Sequence, residues 1–434
     1  MKKDTETLRR AFQAWNNAAS LRARRERQKR YTFGEQWIET VRTADGATMP
    51  ELDYLVGSGK RPLTNNLMRR MVRTIVGLYR NRAAEAGVYD ADPGSVDSRN
   101  ALPELDARML EEFVISGCAI QRIVEENRGG GQAVWVDNVD PRRFFVNAFS
   151  DPRSCDIDFI GMIHDMSWPR LVNCFAHGSR AKAQELKQLA LRDSAAARFD
   201  VEEIVGVVHP GHDGFFSAEP GRVRVVEIWS LEGRQVNVRG RVRMEMRWLC
   251  RWLTADGLVL DEYYSDFSHG SHPFVVKFWP LIDGEVHSFV EDAIDQQRNI
   301  NRHLVLADSI LASSAKGTLL FPVDQLVEGV DIAAVGRLWG QTDSVIPISG
   351  RSDQLPTQVM SSGGSPATDM LQLHMQLFDR TTGISDALLG QNISAATGAN
   401  LYDAQVRNAT TQLADLLESY SSFIIARNAK IKSV

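Results

Sequence analysis

The sequence predicts an α+β protein of two or three domains, and three observations carry that expectation. Between Ile204 and Val276 short apolar runs recur with turn residues between them, the pattern of an antiparallel sheet. Ahead of that block lie segments with apolar residues three and four apart, the mark of amphipathic helices. Behind it, Gly284 to Ala315 runs without a further Gly or Pro, enough for a helix of roughly 45 Å. A chain of 434 residues with 43% apolar content exceeds what one core usually holds.

In chain order, Asp4 to Arg30 has helical propensity, with Leu8, Phe12 and Trp15 on one face. Arg22, Arg24, Arg25, Arg27, Lys29 and Arg30 crowd its end, read as a solvated face that suits a helix C-terminus, in preference to a nucleic-acid patch. Gly34 turns the chain, and Gly46, Pro50, Gly57 and Gly59 punctuate a polar loop. After Pro62, Leu67, Met71, Ile75 and Leu78 define a second amphipathic helix. Pro93 to Ser95 break the chain, and Leu102 to Glu112 restarts as a helix that stops at Gly117. Cys118–Glu125 and Gln132–Val136 flank Gly129 to Gly131 as a hairpin. Gln132 and Ala133 follow those glycines where a phosphate loop needs Lys and Ser or Thr, so a nucleotide site is excluded. Trp168 to Asp193 is helical in composition. Strands are expected at Val205–His209, Val223–Leu231, Val236–Val238, Met244–Leu253, Leu258–Leu260 and Phe274–Lys277.

The long run has a partial apolar stripe, Phe289, Val290, Ala293, Ile294, Ile300, Leu304 and Leu311. Asp295, Gln296, Gln297, Arg298, Asn299, Asn301 and Arg302 interrupt it, a band that predicts packing against copies of itself around a wet centre. Lys316 to Met360 reads as a small dependent unit: strand-like TLLFPV, a helix or turn around Val330 to Trp339, then strand-like SVIPI. Ser365 is the expected N-cap of a helix with Pro366 at its first position, running through Met370, Leu373 and Leu377 to about Arg380. Gly383 to Asn400 is rich in small residues and has one charge, Asp386. Tyr402, Val406, Ala409, Leu413, Leu416, Tyr420 and Phe423 then repeat as a seam of coiled-coil type.

Composition excludes several function classes. The sequence has no apolar run near 18 residues and no basic-then-apolar leader, so neither a membrane span nor a secretory signal is expected. Cys118, Cys155, Cys174 and Cys250 form no CxxC pair and are expected as free thiols. The net charge of −5 is not that of a protein that coats DNA, although Met1 to Arg82 carries 18 Lys and Arg against 8 Asp and Glu, leaving −15 on the rest. His209, His212 and Asp213, and separately His269 and His272, sit in Gly- and Pro-punctuated loops without a helix or base at metal-ligand spacing. They define the rival reading, a metal-dependent DNA-processing hydrolase. A monomeric adaptor that binds a basic partner through the acidic part of the chain is a third.

This order of elements, with GEVHSFVEDAIDQQRNINR, KGTLLFPVDQL, FDRTTGISDALLGQ followed by TGAN, and NNLMRRMVRTIVGLYRN, resembles the portal proteins of tailed bacteriophages, of the short-tailed-phage type. The resemblance implies a non-enzymatic, cofactor-free homo-oligomeric ring, usually of twelve subunits, at one capsid vertex, assembled in the host bacterial cytoplasm. Double-stranded DNA would pass through it in packaging and ejection. Its partners would be the terminase large subunit, the head-tail adaptor and the major capsid protein or scaffold. Carried onto this chain, 1–283 would be an α+β wing, 284–315 the first stem helix and 316–362 the clip. The second stem helix would be 363–383 and the tunnel loop 384–399. The helix of 400–434 would lead to a short crown, where larger family members carry more. The tunnel loop would present Asp386, Gln391, Asn392, Ser394 and Thr397. Arg298, Arg302, Lys316 and Arg380 are candidate channel contacts to DNA, or ion-pair partners of Asp295, Asp308 or Asp379 on a neighbouring subunit. Asp324, Gln325, Glu328, Arg337 and Trp339 would form the clip's partner surface. The channel end inside the capsid is left open by the resemblance.

Overall fold

The computed structural model describes residues 2–128, 131–190, 213–238, 241–314, 318–322, 326–327, 331–340, 346, 348, 356–359, 364–384, 411 and 413–434. At 47% helix and 24% strand it bears out the α+β class. Helix α1 (Thr5–Asn17) opens on Asp4, whose carboxylate accepts from the Thr7 amide at 3.1 Å, and it buries Leu8, Phe12 and Trp15 as their spacing predicts. The single helix expected to Arg30 is in fact two, because the chain turns at Ala18 before α2 (Ala19–Phe33). Arg25 on α2 is not on a solvated face: it is 3% exposed, held by both oxygens of Glu112 at 2.5 and 2.7 Å.

Next come β1 (Thr40–Arg42), β2 (Thr48–Pro50), α3 (Glu51–Gly57), α4 (Leu67–Glu85), α5 (Val96–Asn100) and α6 (Leu102–Ser116). Gly117 ends α6 at φ +73°, where a Cβ would also meet the Trp279 carbonyl at 2.6 Å, so glycine is required twice over. The hairpin β3 (Cys118–Asn127) and β4 (Gln132–Asn138) forms as expected. Then follow β5 (Phe144–Val146), β6 (Phe159–Met166), α7 (Trp168–Phe175), α8 (Arg180–Ala190), α9 (Asp213–Phe216), β7 (Val223–Val238), β8 (Arg241–Thr254), β9 (Val259–Tyr264) and β10 (Phe274–Phe278). The expected strand Val205–His209 lies outside the described residues.

The long helix does not begin at Gly284. Leu281–Ile282 (β11) pairs with Glu285–Val286 (β12), and the two turn residues, Asp283 and Gly284, both have positive φ, 52° and 80°. That is the backbone of a type I′ hairpin, which Asp-Gly favours. Helix α10 therefore runs from Glu291 to Ser314. Beyond it are β13 (Thr318–Leu320), α11 (Ile332–Gly340), β14 (Thr357–Val359), α12 (Gly364–Thr382) and α13 (Ala414–Ile431). The partner of β13 is β14, with Leu319 opposite Gln358; of the strand-like SVIPI only Ile346 and Ile348 lie within the described residues.

The chain divides into two compact units, Met1–Lys29 with Val72–Glu291 and Ala399–Val434, and Arg30–Met71 with Asp292–Gly398. In the first, antiparallel pairing gives a five-stranded sheet in the order β5-β6-β7-β8-β9 and a three-stranded one in the order β10-β3-β4. Period two divides β7 between two cores. Val225 and Trp229 join Cys118, Ile120, Phe274 and Cys250 on one face, while Val226 and Ile228 meet Leu8, Phe12 and Trp15 of α1 on the other.

Helix α13 also belongs to this unit and packs on β3 and β10. Its seam residues Leu413, Leu416, Tyr420 and Phe423 are buried, but against this sheet region and α6 instead of a coiled-coil partner. Arg427 (1% exposed) holds Asp106 (0%) at 2.9 and 3.1 Å, and the Tyr420 hydroxyl donates to the Asp106 carbonyl. Tyr402, Val406 and Ala409 lie outside the described residues.

Candidate functional site

In the second unit, the polar band of α10 is the feature to explain. Gln297 and Asn301 are four residues apart, so they share a face, and they are 0% and 1% exposed. Gln297 Oε1 accepts from the Leu67 amide at 3.0 Å at the start of α4, and its Nε2 donates to the Asn65 carbonyl at 2.7 Å and to Asn301 Oδ1 at 3.1 Å. Asn301 Oδ1 also accepts from the Asn65 amide at 3.1 Å, and its Nδ2 donates to Gln36 Oε1 at 2.6 Å. Gln36 donates onward to the Tyr31 carbonyl at 2.8 Å and to Asn66 Oδ1 at 3.1 Å. Asn66 donates to the Thr32 carbonyl and accepts from the Arg69 amide, capping α4. Gln297 and Asn301 therefore face no wet centre; they form a satisfied amide network that ties α10 to the residues between Tyr31 and Met68.

The two arginines of the band converge on one carboxylate. Arg302 Nε donates to Glu51 Oε1 at 2.6 Å, and Arg298 lies 3.8 Å from Glu51 Oε2 and 3.8 Å from Asp295. Glu51, at the start of α3, is 5% exposed. The expected acidic partner was an Asp on a neighbouring subunit, and here the chain supplies Glu51 itself. The Asn65-Asn66 pair ahead of an apolar helical run was a readable N-cap signal. Nothing local marks Gln36 or Glu51 as partners of residues more than 240 positions away.

The other side of α10 meets α12. His374 Nδ1 is 3.1 Å from Gln296 Oε1, and the His303 ring stacks on His374 at 4.9 Å and 19°. Partial burial and the neighbouring ring both lower the pKa of His303, which favours its neutral form. Apolar side chains stay in the open on both helices: Leu306 and Leu311 on α10 are 41% and 69% exposed, and Met370 and Leu373 on α12 are 41% and 45%.

Of the remaining sequence-derived site residues, Arg380 and Arg337 are exposed and Trp339 is half-buried. Lys316, Asp324, Gln325, Glu328 and the tunnel-loop residues Asp386, Gln391, Asn392, Ser394 and Thr397 lie outside the described residues.

In the His269–His272 pair of the rival reading both Nδ1 atoms are engaged. His269 Nδ1 accepts from the Ser271 amide at 3.0 Å and His272 Nδ1 from the Phe274 amide at 3.2 Å, so these lone pairs face backbone donors. Lys430 sits beside them, its Nζ donating to the carbonyls of His272 and Phe274, and burial lowers its pKa to about 7. A cation there opposes a metal ion. Among the described residues no group of three or more His, Cys, Asp or Glu could hold a metal; His209 and His212 fall outside them.

Buried charge elsewhere in the first unit is structural. Glu227, 0% exposed, accepts from Arg122 Nε at 2.9 Å and from Trp229 Nε1 at 2.9 Å, with His164 Nε2 also at 2.9 Å. Burial pushes its carboxyl up, and Arg122 with His164 and Trp229 overcomes that, holding it at about 2.

Among the described residues of this unit, a long helix is clasped by buried amides, and it and α12 carry exposed apolar positions. A family model matches residues 8–431, nearly the whole chain, and sets the class: this is a phage portal protein, and proteins of that class are structural rather than enzymatic. The model is that of the Phage P22-like portal proteins, and the chain belongs to that family. No curated protein matches the chain. Membership implies a DNA-packaging channel at the capsid vertex. No helix of the described residues is long and apolar enough to cross a membrane.

Proposed function

We propose that copies of this chain close into a ring at one capsid vertex, conduct double-stranded DNA in packaging and ejection, and dock the terminase motor and later the head-tail adaptor. The observation that carries the ring is the set of open apolar side chains on two long helices, Leu306, Leu311, Met370 and Leu373, within a chain of the portal family. A neighbouring subunit would remove them from water, at about 25 cal/mol per Å² covered. Within this reading 1–283 forms the wing and 284–315 the first stem segment, of which α10 is the helical part. Residues 316–362 form the clip, 363–383 the second stem helix and 384–399 the tunnel loop. The last helix, α13, packs in one compact unit with Val72–Glu291, and 400–434 would lead to a short crown.

The channel must let DNA slide. Each lysine or arginine that neutralises a phosphate releases counterions and tightens a salt-sensitive grip, so few free cations should line the wall. Glu51 already neutralises part of Arg298 and Arg302, which leaves Arg380 and Lys316 as the weak contacts. Energy for translocation would come from the terminase ATPase, since the glycines at 129–131 are followed by Gln132 and Ala133 and cannot cradle a nucleotide. Mass photometry of the purified chain, with and without coexpressed capsid proteins, tests the assembly: oligomers of one uniform size are expected, and monomers alone in both preparations would refute it.

A further inference from the structure

Two helices attach to α10 on different faces. Arg298 and Arg302 hold Glu51 and with it α3, whereas Gln296 and His303 meet His374 of α12. Neighbouring positions such as Arg302 and His303 stand about 100° apart around a helix, so α3 and α12 occupy separate flanks. Each flank carries apolar side chains that the chain itself leaves open.

On α3, Glu51 and Leu55 turn inwards at 5% and 8% exposure, while Leu52 and Val56, one position on, are 41% and 60% exposed. Four residues apart, those two share a face. Leu306, one turn past Arg302, continues the patch along α10. On α12 the open stripe is Asp369, Leu373, Gln376 and Arg380, with Met370 at its edge.

Both patches stand at one level of α10. Glu51 reaches it at Arg298 and Arg302, and His374 reaches it between Gln296 and His303. Chain direction places the charges as well. Asn65 bonds to Asn301 and Leu67 to Gln297, so α4 sets out towards the Glu291 end of α10, and Arg70, further along, lies 3.5 Å from Asp379. Helix α12 therefore runs opposite to α10, which puts Arg380 about 9 Å from His374 towards that end, near the level of Asp295. Asp295 is on the α3 flank, seven positions before Arg302, with its side chain 85% exposed. Arg380 is exposed and has no acidic partner among the described residues.

We propose that α12 of one copy packs its Met370–Leu373 face on the Leu52, Val56 and Leu306 patch of the next copy, with Arg380 of the first set against Asp295 of the second. The inference rests on the ring reading and names the two halves of its interface. A ring interface is heterologous, so every subunit must offer two different patches. Rotation about the ring axis preserves height, so on a stem that follows the axis the two must also share a level, as these do. The apolar side chains supply the affinity, and a charge pair this exposed sets the register. Asp295 would neutralise part of Arg380, as Glu51 does for Arg298 and Arg302, which keeps Arg380 a weak contact for sliding DNA.

The test uses the full-length chain. Val56→Ser combined with Leu373→Ser should raise the concentration for half-assembly about tenfold in mass photometry. Arg380→Glu alone should raise it about threefold at low salt, and Asp295→Arg added to it should restore the wild-type value. All four side chains are exposed, so circular dichroism should match the wild type. Cys155 and Cys174 are exposed and are first replaced by serine. In that background Val56→Cys with Leu373→Cys should give cross-linked ladders with a short bis-maleimide, a mixture of the two single cysteines dimers only, and either single cysteine alone nothing. Unchanged assembly of the serine variant, or no ladder from the double cysteine, overturns the contact. Normal assembly of Arg380→Glu with weakened DNA retention overturns the charge pair and assigns Arg380 to DNA. A wild-type chain that stays monomeric fails the ring itself, a result distinct from a wild type that assembles together with its variants.

Discussion

Asn301→Leu isolates the amide network that fixes α10. Leucine matches asparagine closely in shape, so the substitution removes three hydrogen bonds without opening a large cavity. Gln36, 2% exposed, then loses its bond at 2.6 Å and keeps a carbonyl oxygen without a donor in a dry setting. That orphan costs about 1–3 kcal/mol. The lost bond from the Asn65 amide adds less, about 0.5–1 kcal/mol, because Asn65 is exposed and water replaces it. Gln297 retains its contact with the Asn65 carbonyl at 2.7 Å. The sum is about 3 kcal/mol, or a fall of roughly 6–12 °C in the unfolding midpoint of a unit of this size. Hydrogen exchange at the Leu67 and Met68 amides should speed up, since α4 loses the support of its first turn. Adding Gln36→Leu should recover at least about 1 kcal/mol, because an apolar pair leaves nothing unsatisfied. A cost below about 0.5 kcal/mol with no coupling between the two sites would refute the clasp.

Other expectations follow from the same geometry. Arg427→Met should destabilise by about 3–5 kcal/mol in chemical denaturation, since it strands the fully buried Asp106 carboxylate; an effect below 1 kcal/mol would show that the pair is not dry. Glu227 binds fewer protons in the folded state than unfolded, as its carboxyl is held at about 2 against an ordinary 4.5. Its contribution, about 3 kcal/mol, is present above pH 4.5 and is lost as pH falls towards 2. Glu227→Gln should remove that part of the acid transition, and an identical acid profile would contradict the assignment. Deleting Gln391–Ala396 should leave assembly intact and impair DNA packaging or retention, whereas lost assembly would make the segment structural. Charge reversal at Asp324, Glu328 and Arg337 should weaken terminase docking in a packaging assay; no change would remove the clip surface.

The order of helices and strands was legible because it is local: α1 buries Leu8, Phe12 and Trp15, and β3–β4 turns at its glycines. The start of α10 was not read: Asp283-Gly284 favours a hairpin turn, but the absence of Gly or Pro after it favours one unbroken helix when periodicity alone is weighed. The fate of the polar band was not legible. Gln297 and Asn301 look like wet residues in sequence, and their burial depends on Gln36 and Asn65, more than 230 positions away. The seam of α13 shows the same limit, because period and apolarity announce a packed face but not whether a helix or a sheet covers it. The candidate surfaces were legible only through the resemblance, since a channel wall has no fixed ligand spacing to read.

The central claim is a closed ring with a through channel, and direct imaging of the purified full-length chain by electron microscopy tests it. End-on views should show a ring of identical subunits with a central opening able to admit a DNA duplex, and side views a narrow stem formed by α10 and α12. Particles of single-chain size, or open filaments without a central opening, would contradict it.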